Sequence, residues 1–180
     1  VFPDEVNLEM FSPSISYEGT KVKLKDGSEH HFDNRDNFES VIIESTDPTV
    51  SKVNAYIFQS WKLKSVKIHN ALPITDFGTV KEDGSGTWGC FLSWIDNLTE
   101  IDLTGLANLE ISGDSFMRRF NSMSYIDLSP LKKLKKIGNL SLSECALLEE
   151  VNLSGLSNIT YLGQEFCYLC PKLNTIDFTQ

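Results

Sequence analysis

Four cysteines are the first candidates for chemistry: Cys90, Cys145, Cys167 and Cys170. Cys167 and Cys170 form a C-x-x-C pair. At that spacing two thiols can cycle between dithiol and disulfide, or supply half of a tetrahedral zinc site. The redox use wants a helix N-terminus beside a βαβ unit, and the zinc use wants a second ligand pair. Neither is signalled. Cys90 falls in a different phase, and His30, His31 and His69 lie toward the other end of the chain. Cys145 precedes Cys170 by 25 residues. The expectation is that Cys145 and Cys170 stack as reduced thiols and act as small hydrophobes, with no metal and no cofactor. A disulfide between them would be within reach, since neighbouring strands lie about 4.8 Å apart.

Other features offer less. DGSG at 83–86 is glycine-rich, but the Lys-Ser/Thr of a phosphate loop and a following helix are missing. KKLKK at 132–136 is basic, yet Leu134 takes a core position, which makes the lysines a solvated corner. No recognisable motif positions an acid pair or a nucleophile beside a base. No catalytic residue is assigned, and an enzyme is not expected.

What must position these residues is a repeat. IDLTGL, IDLSPL, VNLSGL and a final IDF begin at Ile101, Ile126, Val151 and Ile176, each 25 residues after the last. Units written from Leu98, Met123 and Leu148 carry apolar residues at positions one, four, six, nine and twelve. Glycine stands at position sixteen: Gly113, Gly138 and Gly163. A worn copy begins at 63 (Leu63, Val66, Ile68, Ala71, Ile74, Gly78), a degenerate one at 38, and a stub at Leu173. Between the copies at 63 and 98 lie ten extra residues, in or near TVKEDGSGTW at 79–88, polar enough for a surface loop.

Alternation at positions four to six is strand periodicity. So short a strand cannot bury its apolar edge alone; stacked on copies of itself it becomes a rung of a parallel sheet. Position sixteen reads as a corner where glycine permits positive φ. The F-x-x-x-C or F-x-x-x-F segment (Phe116/Phe120, Phe166/Cys170) reads as a short helical turn. Residues 1–37 do not repeat; KVKLKDGSEHHF at 21–32 signals a hairpin across Asp-Gly, which suits an N-terminal cap. The expected domains are a cap over 1–37 and a solenoid over 38–180, with units starting at 38, 63, 98, 123, 148 and 173. The fold class is an α/β or mainly β solenoid.

The L-x-x-I-x-L, L-x-x-I-G, F-x-x-C-x-x-L order resembles the BspA-like leucine-rich repeats. ITYLGQEFCYLCPKLNTIDF at 159–178 matches best, then LKKIGNLSLSECALLEEVNL at 134–153. The resemblance covers 98–180 well and 38–97 loosely. It departs in its longer unit, in Phe120 for the expected Cys, and in Ser141 for Phe. It implies a solenoid on the surface of bacteria or parasitic protists, serving adhesion or protein binding.

Composition narrows the partners. The 180-residue chain carries a formal net charge of −9, which argues against nucleic acid and anionic membrane surfaces. No apolar run reaches a membrane span. Sequons at Asn97, Asn139, Asn152 and Asn158 are permissive for secretion. There is no starting Met and no signal peptide, so a mature or excised piece of a longer protein is expected.

Outward strand positions three, five and seven form the candidate partner-binding strip. They are Glu100, Asp102 and Thr104; Tyr125, Asp127 and Ser129; Glu150, Asn152 and Ser154; Thr175, Asp177 and Thr179. Adjacent Asp102 and Asp127 should repel, which suits a basic protein partner with Tyr125 as anchor. The alternative function is a scaffold or assembly segment. The bare last rung, with Ile176 and Phe178, favours self-association.

Overall fold

The structure is a computed structural model. It describes the backbone of residues 5–9, 20–24, 29–32 and 40–44, and residues 64–68, 74–77 and 91–179 in full. The sequence-expected loop at 79–88, Cys90 and His69 lie outside the described residues.

Short parallel strands recur as the alternation requires. The N-terminal part contributes β1 (Glu5–Glu9), β2 (Thr20–Leu24), β3 (Glu29–Phe32), β4 (Ser40–Glu44) and β5 (Ser65–Ile68). Then follow β6 (Glu100–Asp102), β7 (Tyr125–Asp127), β8 (Lys136–Ile137), β9 (Glu150–Asn152), β10 (Tyr161–Leu162) and β11 (Thr175–Asp177). β2 and β3 pair antiparallel, Thr20 opposite Phe32, and β1 joins them to the parallel run by pairing with β4. Ser65 of β5 faces Ser40 on one side and Glu100 on the other, the larger interval absorbing the extra residues between those coils. Tyr125, Glu150 and Thr175 line up across β7, β9 and β11.

Three lines of contact run between the described coils. The first is the strand ladder. The second runs through Asp76, Ile111, Lys136 and Tyr161, joined by parallel bridges and by β8–β10. The third runs through 91–94, 115–119, 140–144 and 165–169. Here Met117 N donates to Phe91 O, Leu142 N to Phe116 O, and Cys167 N to Ser141 O, each at 2.9–3.0 Å.

The third line is not helical, contrary to the sequence expectation. Alternate residues take left-handed backbone: Ser115, Met117 and Arg119, then Leu140, Leu142 and Glu144, then Glu165, Cys167 and Leu169. A single helical turn would leave its terminal N–H and C=O groups unpaired. The alternating backbone turns them to the neighbouring coils instead. Each left-handed non-glycine residue is disfavoured by about 1–2 kcal/mol, and the inter-coil hydrogen bonds offset this. Among the described residues the one helical element is a 3-10 turn at Thr104–Leu106, so the solenoid is mainly β.

The core is a set of columns. Ile126, Leu128, Leu131, Leu134, Leu148 and Val151 are fully buried, each contributing roughly 1.5–3 kcal/mol by leaving water. Phe77, Phe91 and Phe116 stack, Phe77 and Phe91 with ring centroids 3.9 Å apart. Ser141, which continues the Phe116 column, is buried and donates to Gly138 O at 2.8 Å.

The corner glycines need a correction. Gly113 has φ +69°, as expected, but Gly138 and Gly163 are not in positive φ. They are required by stacking: a Cβ on Gly163 would lie 2.3 Å from Gly138 C.

Among the described residues the strand ladder is interrupted once. β4–β5–β6 belong to one sheet and β7–β9–β11 to another, with no pairing between β6 and β7. The second and third lines continue across that step, through Lys135 N to Glu110 O and Arg119 N to Ser143 O, each donating from one coil to the next.

Candidate functional site

The strand face repeats one local motif. Asp102 Oδ1 accepts from Thr104 N at 2.8 Å, and Asp127 Oδ1 from Ser129 N at 2.9 Å. Asn152 Oδ1 accepts from Ser154 N, and Asp177 Oδ1 from Thr179 N, both at 2.8 Å. These are Asx turns, in which a short side-chain carbonyl or carboxylate bonds the backbone two residues on. They end each strand and start the return of the coil. Asp and Asn serve equally, which explains why both occur.

This changes the reading of the acidic strip. Asp102 and Asp127 are not ladder neighbours, because β6 and β7 do not pair. Where the ladder is continuous, Asp127 faces Asn152, and Asn152 faces Asp177. The expected repulsion between adjacent aspartates is therefore absent. Glu100 is held by the preceding coil: Ser65 Oγ donates to Oε2 at 3.0 Å, and Lys67 Nζ lies 3.5 Å from Oε1. Glu150 is exposed, and so are Thr104 and Thr175. Ser129 and Ser154 are half-buried. Tyr125 is 44% exposed, and Asn152 Nδ2 donates to its hydroxyl at 3.4 Å.

Beside Tyr125 the interrupted ladder leaves a cavity of about 330 Å³ lined by Thr99, Glu100, Ile101, Ser122, Met123, Ser124 and Tyr125. The same two coils are also tied by side chains, Asn121 Nδ2 donating to Asp96 Oδ1 at 2.8 Å and Lys133 Nζ to Asn108 Oδ1 at 2.9 Å. Sequence reasoning did not find this opening. In the phrase that follows it, Pro130 stands where the neighbouring phrases have Gly105 and Gly155.

The thiols are stacked as the spacing implied. Cys145 is buried, Cys167 and Cys170 are half-buried, and all three are free. Phe120 N donates to Cys145 Sγ at 3.4 Å, and Cys170 Sγ lies 3.0 Å from Leu142 O, which accepts from the protonated thiol. The Cys145 S–H, donated to Cys170, brings Cys170 down to about 7 from an ordinary value of 9.0. The same hydrogen bond, then burial, pushes Cys145 up, while burial and the neighbouring Cys170 push Cys167 up to about 12. Among the described residues no three His, Cys, Asp or Glu side chains are grouped to hold a metal ion. KKLKK sits on a corner: Leu134 is buried, and Lys135 Nζ reaches Glu110 Oε2 at 2.7 Å.

Comparison with known proteins gives one match. The family model described as "BspA type Leucine rich repeat region" matches residues 10–79 and 89–180 in six copies. The match begins inside the segment read as a cap. No curated protein and no solved structure matches the chain significantly. A match over most of the chain, on coils that stack through short parallel strands, is decisive: this chain belongs to the BspA-type leucine-rich repeat family.

Proposed function

We propose that the chain is a non-enzymatic protein-binding module of a surface-exposed or secreted protein, and that its strand face meets a basic protein partner. The family supports a role in protein interactions. The observation that carries the finer reading is the exposed ring of Tyr125 standing beside exposed Glu150 in the ladder. An aromatic side chain among carboxylates suits a cationic patch, and tyrosine is enriched where binding energy concentrates. The partner-binding set is Glu100, Asp102, Thr104, Tyr125, Asp127, Ser129, Glu150, Asn152, Thr175 and Asp177. The β2–β3 hairpin is proposed as the N-terminal cap of a stack of 25-residue units.

The Asx turns make a clean test, since Asp→Asn removes charge and keeps the turn, as Asn152 does. Two model proteins matched in size, one basic and one acidic, serve as probes. The basic one should bind, with affinity falling as salt rises. The triple variant Asp102→Asn, Asp127→Asn, Asp177→Asn should weaken that binding and flatten its salt dependence. Equal binding of both probes would sink the reading.

A second reading, assembly through the last coil, has its own observation. Leu162, Tyr168, Leu169 and Phe178 are all exposed large apolar side chains. Two of them, Leu162 and Phe178, line a cavity of about 180 Å³ together with Ile137, Leu153, Leu156, Ser157 and Ile159. Sedimentation of this 180-residue chain tests it: Phe178→Ser should shift a concentration-dependent dimer toward monomer.

A further inference from the structure

We propose that the gap between β6 and β7 is a receptor slot, into which an extended peptide with alternating apolar and basic side chains inserts as an added parallel or antiparallel strand. The proposal deepens the reading of the strand face as a binding surface for basic protein, and rests on it.

The gap has a local cause. A Cβ placed on Gly105 would lie 2.4 Å from Ile68 O in the preceding coil, so glycine is what lets β6 settle against β5. Twenty-five residues on, the same place holds Pro130, which carries both a Cβ and a ring. Placed as Gly105 is, that bulk would press on the preceding coil, the one bearing Leu103 and Thr104. One coil further the residue is again glycine, Gly155, and β9 pairs with β7. Steps entered through glycine are closed, and the step entered through proline is open.

The periodicity also says which backbone groups line the slot. In the next step Glu149 N and Glu150 N donate to Ser124 O at 2.7 and 3.0 Å, and Leu128 N donates to Asn152 O at 2.9 Å. The matching groups at the open step are Thr99 O and Leu103 N on one lip, Tyr125 N and Asp127 O on the other. No backbone hydrogen bond joins those lips. Two facing strand edges are a template for an incoming strand, because main-chain pairing supplies affinity without regard to sequence.

Side-chain chemistry then selects the occupant. Along an extended peptide successive side chains point to opposite faces. The inward face meets Ile101, which is only half-buried while its counterparts Val66, Ile126 and Val151 are fully buried, and Met123. The outward face meets Glu100, Asp102, Asp127 and the ring of Tyr125. Among residues lining the cavity the sole charge is the carboxylate of Glu100. Apolar inward and basic outward side chains fit both surfaces.

The probe is the hexapeptide acetyl-Lys-Val-Lys-Val-Lys-Val-amide, compared with the same peptide N-methylated at alternate residues. Methylation leaves the charge and removes the donors that strand pairing needs. The unmodified peptide should bind at least about tenfold more tightly and slow amide exchange at Leu103 and Tyr125. Pro130→Gly should close the slot and weaken that binding by a similar factor, with the thermal transition kept or raised. Equal binding of the two peptides, absence of binding by both, or unaltered binding to Pro130→Gly would overturn the slot. Equal binding of both peptides that is nonetheless lost in the triple Asp→Asn variant would leave the basic-partner reading standing and remove only the insertion.

Discussion

Gly138 lies so close to Gly113 that a Cβ added to Gly138 would be 2.1 Å from the Gly113 carbonyl oxygen. The contact is backbone on backbone, so no side chain can swing aside. Gly138→Ala must push two coils apart along the second ladder, where Ser112 Oγ accepts from Gly138 N at 3.1 Å. Overpacking of this kind costs about 1–3 kcal/mol, and an unyielding backbone places it at the upper end. Urea unfolding should show the loss. Gly155→Ala is the comparison: its added Cβ would meet the movable end of Lys132, although φ +71° disfavours alanine there.

The Asx turns allow a graded test at one position. Asp127→Asn should leave stability within about 0.5 kcal/mol, as for ordinary surface changes. Asp127→Ala loses the acceptor for Ser129 N and should cost about 1 kcal/mol, the usual net value of one hydrogen bond. Chemical denaturation of the three proteins checks both.

Thiol reactivity should rank in a fixed order. Cys170, brought down to about 7 by the Cys145 hydrogen bond, should alkylate first, its rate rising through neutral pH. Cys167, pushed up to about 12, should lag, and buried Cys145 should react only on unfolding. The signs for stability are opposite. Cys170 is depressed when folded, so its contribution is present above 9.0 and lost as pH falls through about 7. Cys167 is raised, so its contribution is full below 9.0 and lost as pH rises toward 12. Mass spectrometry of alkylated peptides across pH, before and after reduction, reads the order and the free-thiol state together. Simultaneous labelling of all three in the folded chain would be the contrary result.

A fourth test concerns the turn face. Glu144 takes both Arg118 and Arg119, and the Arg118 guanidinium lies 5.6 Å from the Trp94 ring centre. Partial exposure and solvent screening keep the pairs modest. Glu144→Ala should cost about 1 kcal/mol and be felt less at high salt. Equilibrium unfolding at two salt concentrations measures it.

Much of this was legible in the residues. Alternation around Ile126, Leu128 and Val151 gave the inward face, and the interval from Cys145 to Cys170 gave their stacking. The left-handed turns were not legible, because their reason lies in hydrogen bonds to other coils rather than in local propensity. Gly138 was assigned the right importance for the wrong reason, since a need for closeness and a need for positive φ select the same residue. The Asx turns had a signal, the Asp/Asn-x-Ser/Thr spacing in every phrase, but it was read as surface charge. On the proposal above, the open step has its signal in the single letter of Pro130.

That open step also sets how the chain should respond to pulling. Among the described residues, the steps from 63 to 98 and from Met123 to Leu148 are sewn by three lines of hydrogen bonds, but across the step from Leu98 to Met123 only two run. A force applied along the stack loads all seams in series, and the one with fewest stitches should part first. Extension in an optical trap should then peel the single-line stub from Leu173 and next part the step from Leu98 to Met123 before the steps beside it, and Pro130→Gly would raise the force of that second rupture.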